Sequence, residues 1–138
     1  MNVKATDQVL EAVEIETQAQ PSHSVIWLHG LGADGNDFVP IVGQLALPEL
    51  GIRFIFPHAP LMPVSINGGF VMRAWYDILS ADLAPKQEDE QGMRESERAI
   101  RRLLDREVAR GIPASRIVLA GFSQGGAIAL QTGLRYPE

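Results

Sequence analysis

Three short apolar runs, each cut off by glycine or proline, leave this chain few folds to adopt: residues 24–29, 52–56 and 116–121. Each is too short for a stable helix. They are rich in β-branched and aromatic side chains and show little polar alternation, the pattern of strands buried on both faces. Between them the period turns helical. Phe38, Ile41, Val42 and Leu45 predict a helix over 37–47 with Pro48 as its stop. Met93, Ile100, Leu103, Leu104 and Val108 form one stripe of a helix over 92–110, ended by Gly111 and Pro113. The opposite face of that helix carries Glu97, Arg101 and Asp105 at i,i+4 steps, and its charges are assigned to solvent. A further helix over 124–136 closes at Pro137, and 9–17 alternates loosely as a half-buried first strand. Strands alternating with helices of this length imply an α/β fold: a mostly parallel twisted sheet with helices on both faces.

The 138 residues suit one domain spanning 1–138, with no repeat or linker to divide it. Seventeen acidic against 12 basic residues give a net charge of -5, which disfavours nucleic acid and anionic membrane surfaces as partners. The absence of cysteine removes disulfides, thiol nucleophiles and cysteine-based zinc sites. The first 20 residues are acidic and lack an apolar core, so no signal peptide is expected. No apolar run approaches the roughly 18 residues that span a bilayer. The expectation is a cytoplasmic protein without stable membrane insertion.

Gly121-Phe122-Ser123-Gln124-Gly125 fits G-x-S-x-G and lies between the third apolar run and the last helix. A serine exposed at the top of a sheet needs a tight, strained turn with chain passing close on both sides. The positions two before and two after it then have no room for a side chain. The turn also sets Ser123 at a helix amino terminus, where free N–H groups favour developing negative charge. Ser123 is the candidate nucleophile.

Gly30-Leu31-Gly32-Ala33-Asp34-Gly35 satisfies G-x-G-x-x-G after a strand and must be weighed as a dinucleotide loop. Asp34 and Asp37 put carboxylates where a pyrophosphate would sit, the helix begins after the motif, and no acidic residue follows the next strand for a ribose. The better use of that backbone is to aim an amide at the carbonyl Ser123 attacks. An ester hydrolase needs two such donors, each worth about 3–4 kcal/mol. Gln124, directly after the nucleophile, supplies one, and Leu31 is the choice for the other. Val64 to Met72, with Asn67-Gly68 between apolar flanks, reads as a hairpin or lip.

With both motifs placed, the sequence resembles the small carboxylesterases and acyl-protein thioesterases of the α/β-hydrolase superfamily. The likeness rests on Trp27-Leu-His-Gly-Leu-Gly-Ala-Asp-Gly35, Phe56-Pro-His-Ala-Pro60, Arg73-Ala-Trp-Tyr-Asp77 and Gly121-Phe-Ser-Gln-Gly-Gly126, in order from about residue 10 onward. Asn67-Gly-Gly-Phe-Val-Met72 leans towards the bacterial carboxylesterase branch. The resemblance implies a Ser-His-Asp hydrolase of short to medium acyl esters, with thioesters or lysophospholipids as alternatives, and no metal or organic cofactor. It carries Ser123 over as nucleophile, and Leu31 and Gln124 as oxyanion donors. Trp75 and the lip, through Leu61, Ile66 and Met72, resemble the acyl-binding side; for Trp75, core packing is the competing role. A homodimer is compatible with the family.

The chain departs from that pattern after Ser123. The order in this superfamily is nucleophile, acid, histidine, yet His23, His29 and His58 all precede the serine and only Glu138 is acidic beyond it. His29 is expected to fix the oxyanion loop by hydrogen bonds, with a base role as the lesser alternative. His58 reads as a structural strand-end residue and His23 as surface. Three scattered histidines without H-E-x-x-H give no metal site. Asp77 precedes the nucleophile and is not the triad acid. The fold expected is therefore an α/β hydrolase lacking its last strands, a piece of a polypeptide about 80 residues longer, with a complementing C-terminal segment supplying acid and base. A non-catalytic binding module on the same scaffold, and nucleotide binding at 30–35, are the rival readings.

Overall fold

The computed structural model describes residues 9–45, 47, 49–79 and 89–136. Pro48, Pro137 and Glu138 lie outside the described residues. Among the described residues six strands, β1 (Ala12–Glu16), β2 (His23–Leu28), β3 (Ile52–Pro57), β4 (Leu61–Val64), β5 (Phe70–Arg73) and β6 (Ile117–Gly121), are interspersed with the helices α1 (Ile41–Leu45), α2 (Glu90–Ala109) and α3 (Gln124–Arg135). Four strands form a sheet in the order β1-β3-β2-β6, while β4 and β5 form a separate antiparallel hairpin. β3, β2 and β6 run parallel, and β1 pairs antiparallel with β3. The sheet is thus mixed and mostly parallel, with an antiparallel edge strand that the alternation at 9–17 does not reveal.

The pleat sends alternate side chains to opposite faces, and each face has its own core. Ile26, Leu28 and Ile55 pack against Ile100, Leu103 and Leu104 of α2, Ile128 and Ala129 of α3, and Trp75. Ile52, Phe54 and Phe56 pack on the other face with Phe38, Val39, Ile41 and Val42. Each fully buried large side chain contributes about 1.5–3 kcal/mol.

Three expectations need correction. The helix foreseen over 37–47 occupies only Ile41–Leu45. Pro40 disfavours helical backbone at Val39, so the preceding stretch makes tight turns closed by Asp37 N–H to Asp34 O and Ile41 N–H to Phe38 O. Of the strands expected to be buried on both faces, β3 nearly fits, with only Arg53 half-exposed. β2 is buried on the α2 side and half-buried on the other, where α1 is too short to cover it. β6 pairs with β2 alone among the described residues, and Val118 is 57% exposed.

The third correction concerns the charges of α2, which are not all solvated. Glu107 is fully buried, its carboxylate accepting from Ser24 Oγ (2.5 Å) and from the guanidiniums of Arg53 (2.8 Å) and Arg110 (2.9 Å). Glu97, also buried, takes Gln131 at 2.9 Å and Arg135 at 3.1 Å. These carboxylates tie α2 to the sheet and to α3, because buried carboxylate oxygens are costly unless hydrogen-bond donors fill them.

Candidate active site

Parallel strands place the loops that follow them at one end of the sheet, where open α/β folds bind ligands. Leu28 and Gly121 are register partners at the carboxyl ends of β2 and β6. The segments that follow, 29–35 and 122–125, therefore emerge side by side. The Phe122 N–H donates to Leu28 O at 3.0 Å. Such proximity leaves no volume at two positions. A Cβ on Gly121 would lie 2.6 Å from the Gly126 nitrogen, and one on Gly125 would lie 2.7 Å from the Leu28 carbonyl carbon. Real Cβ atoms do not come this close to backbone, so both positions flanking the serine require glycine.

Ser123 sits between them with φ 55° and ψ -117°, as the N-cap of α3. That left-handed conformation costs an L residue about 1–3 kcal/mol and is held only because the surrounding chain dictates it. The residue is exposed, and its hydroxyl does not cap the helix. The backbone N–H groups of Gln124, the next residue, and of Leu31, in the adjoining loop, have no acceptor among the described residues. Around Leu31 the loop is tied down on both sides. Gly32 N–H donates to Arg73 O at 2.9 Å and Ala33 N–H to Gly30 O at 3.2 Å.

His29 is 1% exposed and holds this loop. Its Nδ1–H donates to Gly30 O at 2.7 Å while Nε2 accepts from Ala59 N–H at 3.0 Å, so the ring is a neutral tautomer with both nitrogens engaged. Burial pushes its pKa below the usual 6.5. A ring so committed has no lone pair for a serine proton, and the loop-fixing role expected of His29 is the one seen. His58 Nδ1 accepts from Gly35 N–H at 3.0 Å, the structural role foreseen at that strand end. His23 is not a surface residue. It is the half-buried first residue of β2, its Nδ1 2.7 Å from Ser22 Oγ. Asp77 bonds Ser65 through N–H (2.7 Å) and hydroxyl (2.5 Å), which holds its carboxyl below the usual range and anchors the hairpin's 3-10 turn.

The glycine loop is poorly equipped to cradle a pyrophosphate. Gly32 and Gly35 spend their amides on protein acceptors. Asp34, whose pKa is lowered chiefly by the Asn36 N–H, keeps a negative charge there. Among the described residues no group of three His, Asp or Glu side chains could hold a metal ion.

Residues 10–138 match the phospholipase/carboxylesterase family. The chain belongs to that family. Relatives within it include the protein named acyl-protein thioesterase 1 of Schizosaccharomyces pombe, 42% identical over 130 residues, covering 94% of this chain and 57% of the relative. The protein of the same name from Cryptococcus neoformans is 42% identical over 123 residues, covering 88% of this chain and 52% of the relative. The crystal structure of Arabidopsis thaliana SOBER1 superposes with a TM-score of 0.79 at 36% identity, covering 84% of this chain and 56% of that one. This family member thus has the α/β-hydrolase fold, and it spans about half the length of the curated relatives it matches. Those relatives are fungal thioesterases by name, and the leaning towards a bacterial branch draws no support from them.

Within the family frame the lip divides. Leu61 (62% exposed) and Ile66 (39%) stand on the hairpin surface. Met72 is half-buried, its sulfur 3.8 Å from where a Cβ on Gly32 would stand. Trp75 is not part of that surface. It is fully buried in the core, and its indole N–H donates to His29 O at 2.8 Å. A side chain without accessible surface does not line an acyl pocket, so core packing decides the alternative left open for it. The sequence signals did not point to the Gln124 side chain, which is buried against Trp75 and Tyr76. No helix among the described residues is long and apolar enough to cross a membrane.

Proposed function

We propose that the protein is a serine hydrolase of short to medium acyl esters, working through an acyl-enzyme. Ser123 Oγ attacks the acyl carbonyl carbon while a histidine takes its proton. The resulting oxyanion rests on the Leu31 and Gln124 amides. Collapse breaks the bond to the leaving group, which receives that proton, and a water deprotonated by the same histidine releases the acyl group. The histidine and its acid partner are placed in chain beyond Glu138, since His29 and His58 are engaged in the loops and the relatives are about twice as long. Acyl chains are placed against the hairpin through Leu61, Ile66 and Met72. The observation carrying this reading is the exposed Ser123 at positive φ on the turn from β6 into α3.

A thioester substrate is the second reading, favoured by the names of the fungal relatives. A fluorophosphonate probe tests the chemistry on the intact protein. Labelling is expected at Ser123 and absent in Ser123→Ala; an unlabelled intact protein would point to a binding module on a hydrolase scaffold. Comparing kcat/KM for an oxygen ester and a thioester of the same acyl chain separates the two substrate readings.

A further inference from the structure

Gln124 carries a buried polar side chain that the proposed chemistry, which uses only its backbone, leaves without a task. Its Oε1 accepts from the Trp75 N–H at 2.7 Å and its Nε2 donates to Tyr76 O at 2.8 Å. Trp75 continues the path, its indole N–H donating to His29 O at 2.8 Å. His29 in turn holds Gly30 O through Nδ1–H at 2.7 Å. Ser96 Oγ caps the Trp75 carbonyl and fastens the centre of the path to α2. One end of this path is the residue bearing the elbow amide, and the other adjoins the loop bearing the Leu31 amide. Gln124, Trp75 and His29 are 4%, 0% and 1% exposed, so water does not compete for these bonds.

A methionine would fill the same space, so burial alone does not call for an amide. What the amide adds is direction: two bonds of fixed geometry to consecutive residues of a segment that itself grips the other loop. Oxyanion stabilisation is sensitive to donor placement, and a displacement of about 1 Å can cost 10²-fold in rate.

We propose that the Gln124 side chain, acting through Trp75, is a positioning device that fixes the distance between the two oxyanion amides. The proposal rests on the hydrolase reading above and deepens it. Gln124 is thereby assigned two roles, its backbone N–H facing the substrate and its side chain setting where that N–H stands.

The test compares Gln124→Met and Trp75→Phe in the intact protein, with active sites counted by stoichiometric fluorophosphonate labelling and folding followed by thermal melts. Neither variant removes a backbone donor. For Gln124→Met, kcat per labelled site is expected to fall roughly 10- to 100-fold with KM within about twofold, the signature of an interaction made in the transition state. Trp75→Phe keeps a ring in place should Gln124→Met lose its fold, and is expected to lower kcat roughly 3- to 10-fold. The labelling rate should fall in step with kcat, because phosphonylation also develops charge on the oxygen. Folded variants with parental kcat, or with a raised KM and unchanged kcat, would overturn the positioning role. The second result would make these residues part of a binding surface. A parent that does not label overturns the hydrolase reading and this proposal with it.

Discussion

Replacing Gly125 by alanine should break the junction between the serine turn and β2, whereas the same replacement at Gly43 should not. A Cβ at Gly125 would stand 2.7 Å from the Leu28 carbonyl carbon, with the Leu28 and His29 carbonyl oxygens nearer still, against an ordinary contact limit of 3.4 Å. All these atoms are backbone of the innermost part of the sheet, so relief requires the elbow to move away by roughly 1 Å. Overpacking of this kind costs about 1–3 kcal/mol or more. Alanine gains about 1 kcal/mol of helix propensity at the start of α3, so a severe backbone clash of about 2–4 kcal/mol leaves a net loss of about 1–3 kcal/mol. At about 3–4 °C per kcal/mol for a domain of this size, the melting temperature should drop by roughly 3–12 °C. The displaced turn should also slow fluorophosphonate labelling of Ser123 by at least tenfold. Gly43 lies in α1 with nothing within 4 Å of a Cβ. There alanine should be neutral or stabilising by about 0.5–1 kcal/mol and label at the parental rate. Thermal melts and labelling time courses on the two variants check both halves. A Gly125→Ala protein that melts with the parent and labels as fast would show that the strand–elbow contact does not set the serine.

Three further outcomes are expected. Ser123→Gly should abolish labelling while raising stability by about 1–2 kcal/mol in denaturant melts, because glycine relieves the positive φ; a loss of stability would contradict the strain. Glu107→Ala should destabilise by about 3–5 kcal/mol, since Arg53 and Ser24 then lose a buried partner; a loss below 1 kcal/mol would mean that water fills the gap at little cost. For His29 the folded state binds its proton less readily than the unfolded chain, so its share of stability is complete above the unfolded pKa near 6.5 and declines as pH falls below it. Melting temperatures taken from pH 7.5 to 5.5 should therefore fall more steeply for the parent than for His29→Asn, and parallel curves would refute a buried neutral ring.

What could be read from residue types was the part of the fold governed by local pattern. The apolar runs at 24–29 and 52–56 placed β2 and β3, and the stripe from Met93 to Leu104 placed α2, because burial imposes its period directly on the chain. Gly121 and Gly125 were legible for the same reason: absence of a side chain is itself a sequence signal. What local pattern misses has another origin. Resemblance leaves Trp75 open between pocket wall and core, and charge spacing assigns the polar face of α2 to solvent; burial decides both. Glu97 and Glu107 carry no mark in the sequence to show that Arg135, from 38 residues away, and Arg53, from 54 away, would fill their oxygens. Likewise, nothing local to Gln124 announces Trp75 as its partner, 49 residues earlier. Hydrogen-bond partners set by tertiary packing lie outside the reach of periodicity.

The two amides proposed as oxyanion donors come from loops 93 residues apart in sequence (124 minus 31), and strand register is what brings those loops together. In a parallel pair each residue advances about 3.3 Å. A slip of two residues between β2 and β6 would keep every side chain on its face, yet it would carry the Ser123 turn about 6–7 Å past the Leu31 loop. The hydrophobic pattern cannot forbid that slip, because it is satisfied equally well afterwards. Close contact can. Only with Leu28 opposite Gly121 does Gly125 face the Leu28 and His29 carbonyls, and only there does the Phe122 N–H reach Leu28 O. The glycines that flank Ser123 thus also select the register that sets its turn beside the Leu31 loop, which explains why the proposed site, assembled from distant segments, needs so few residues to specify it.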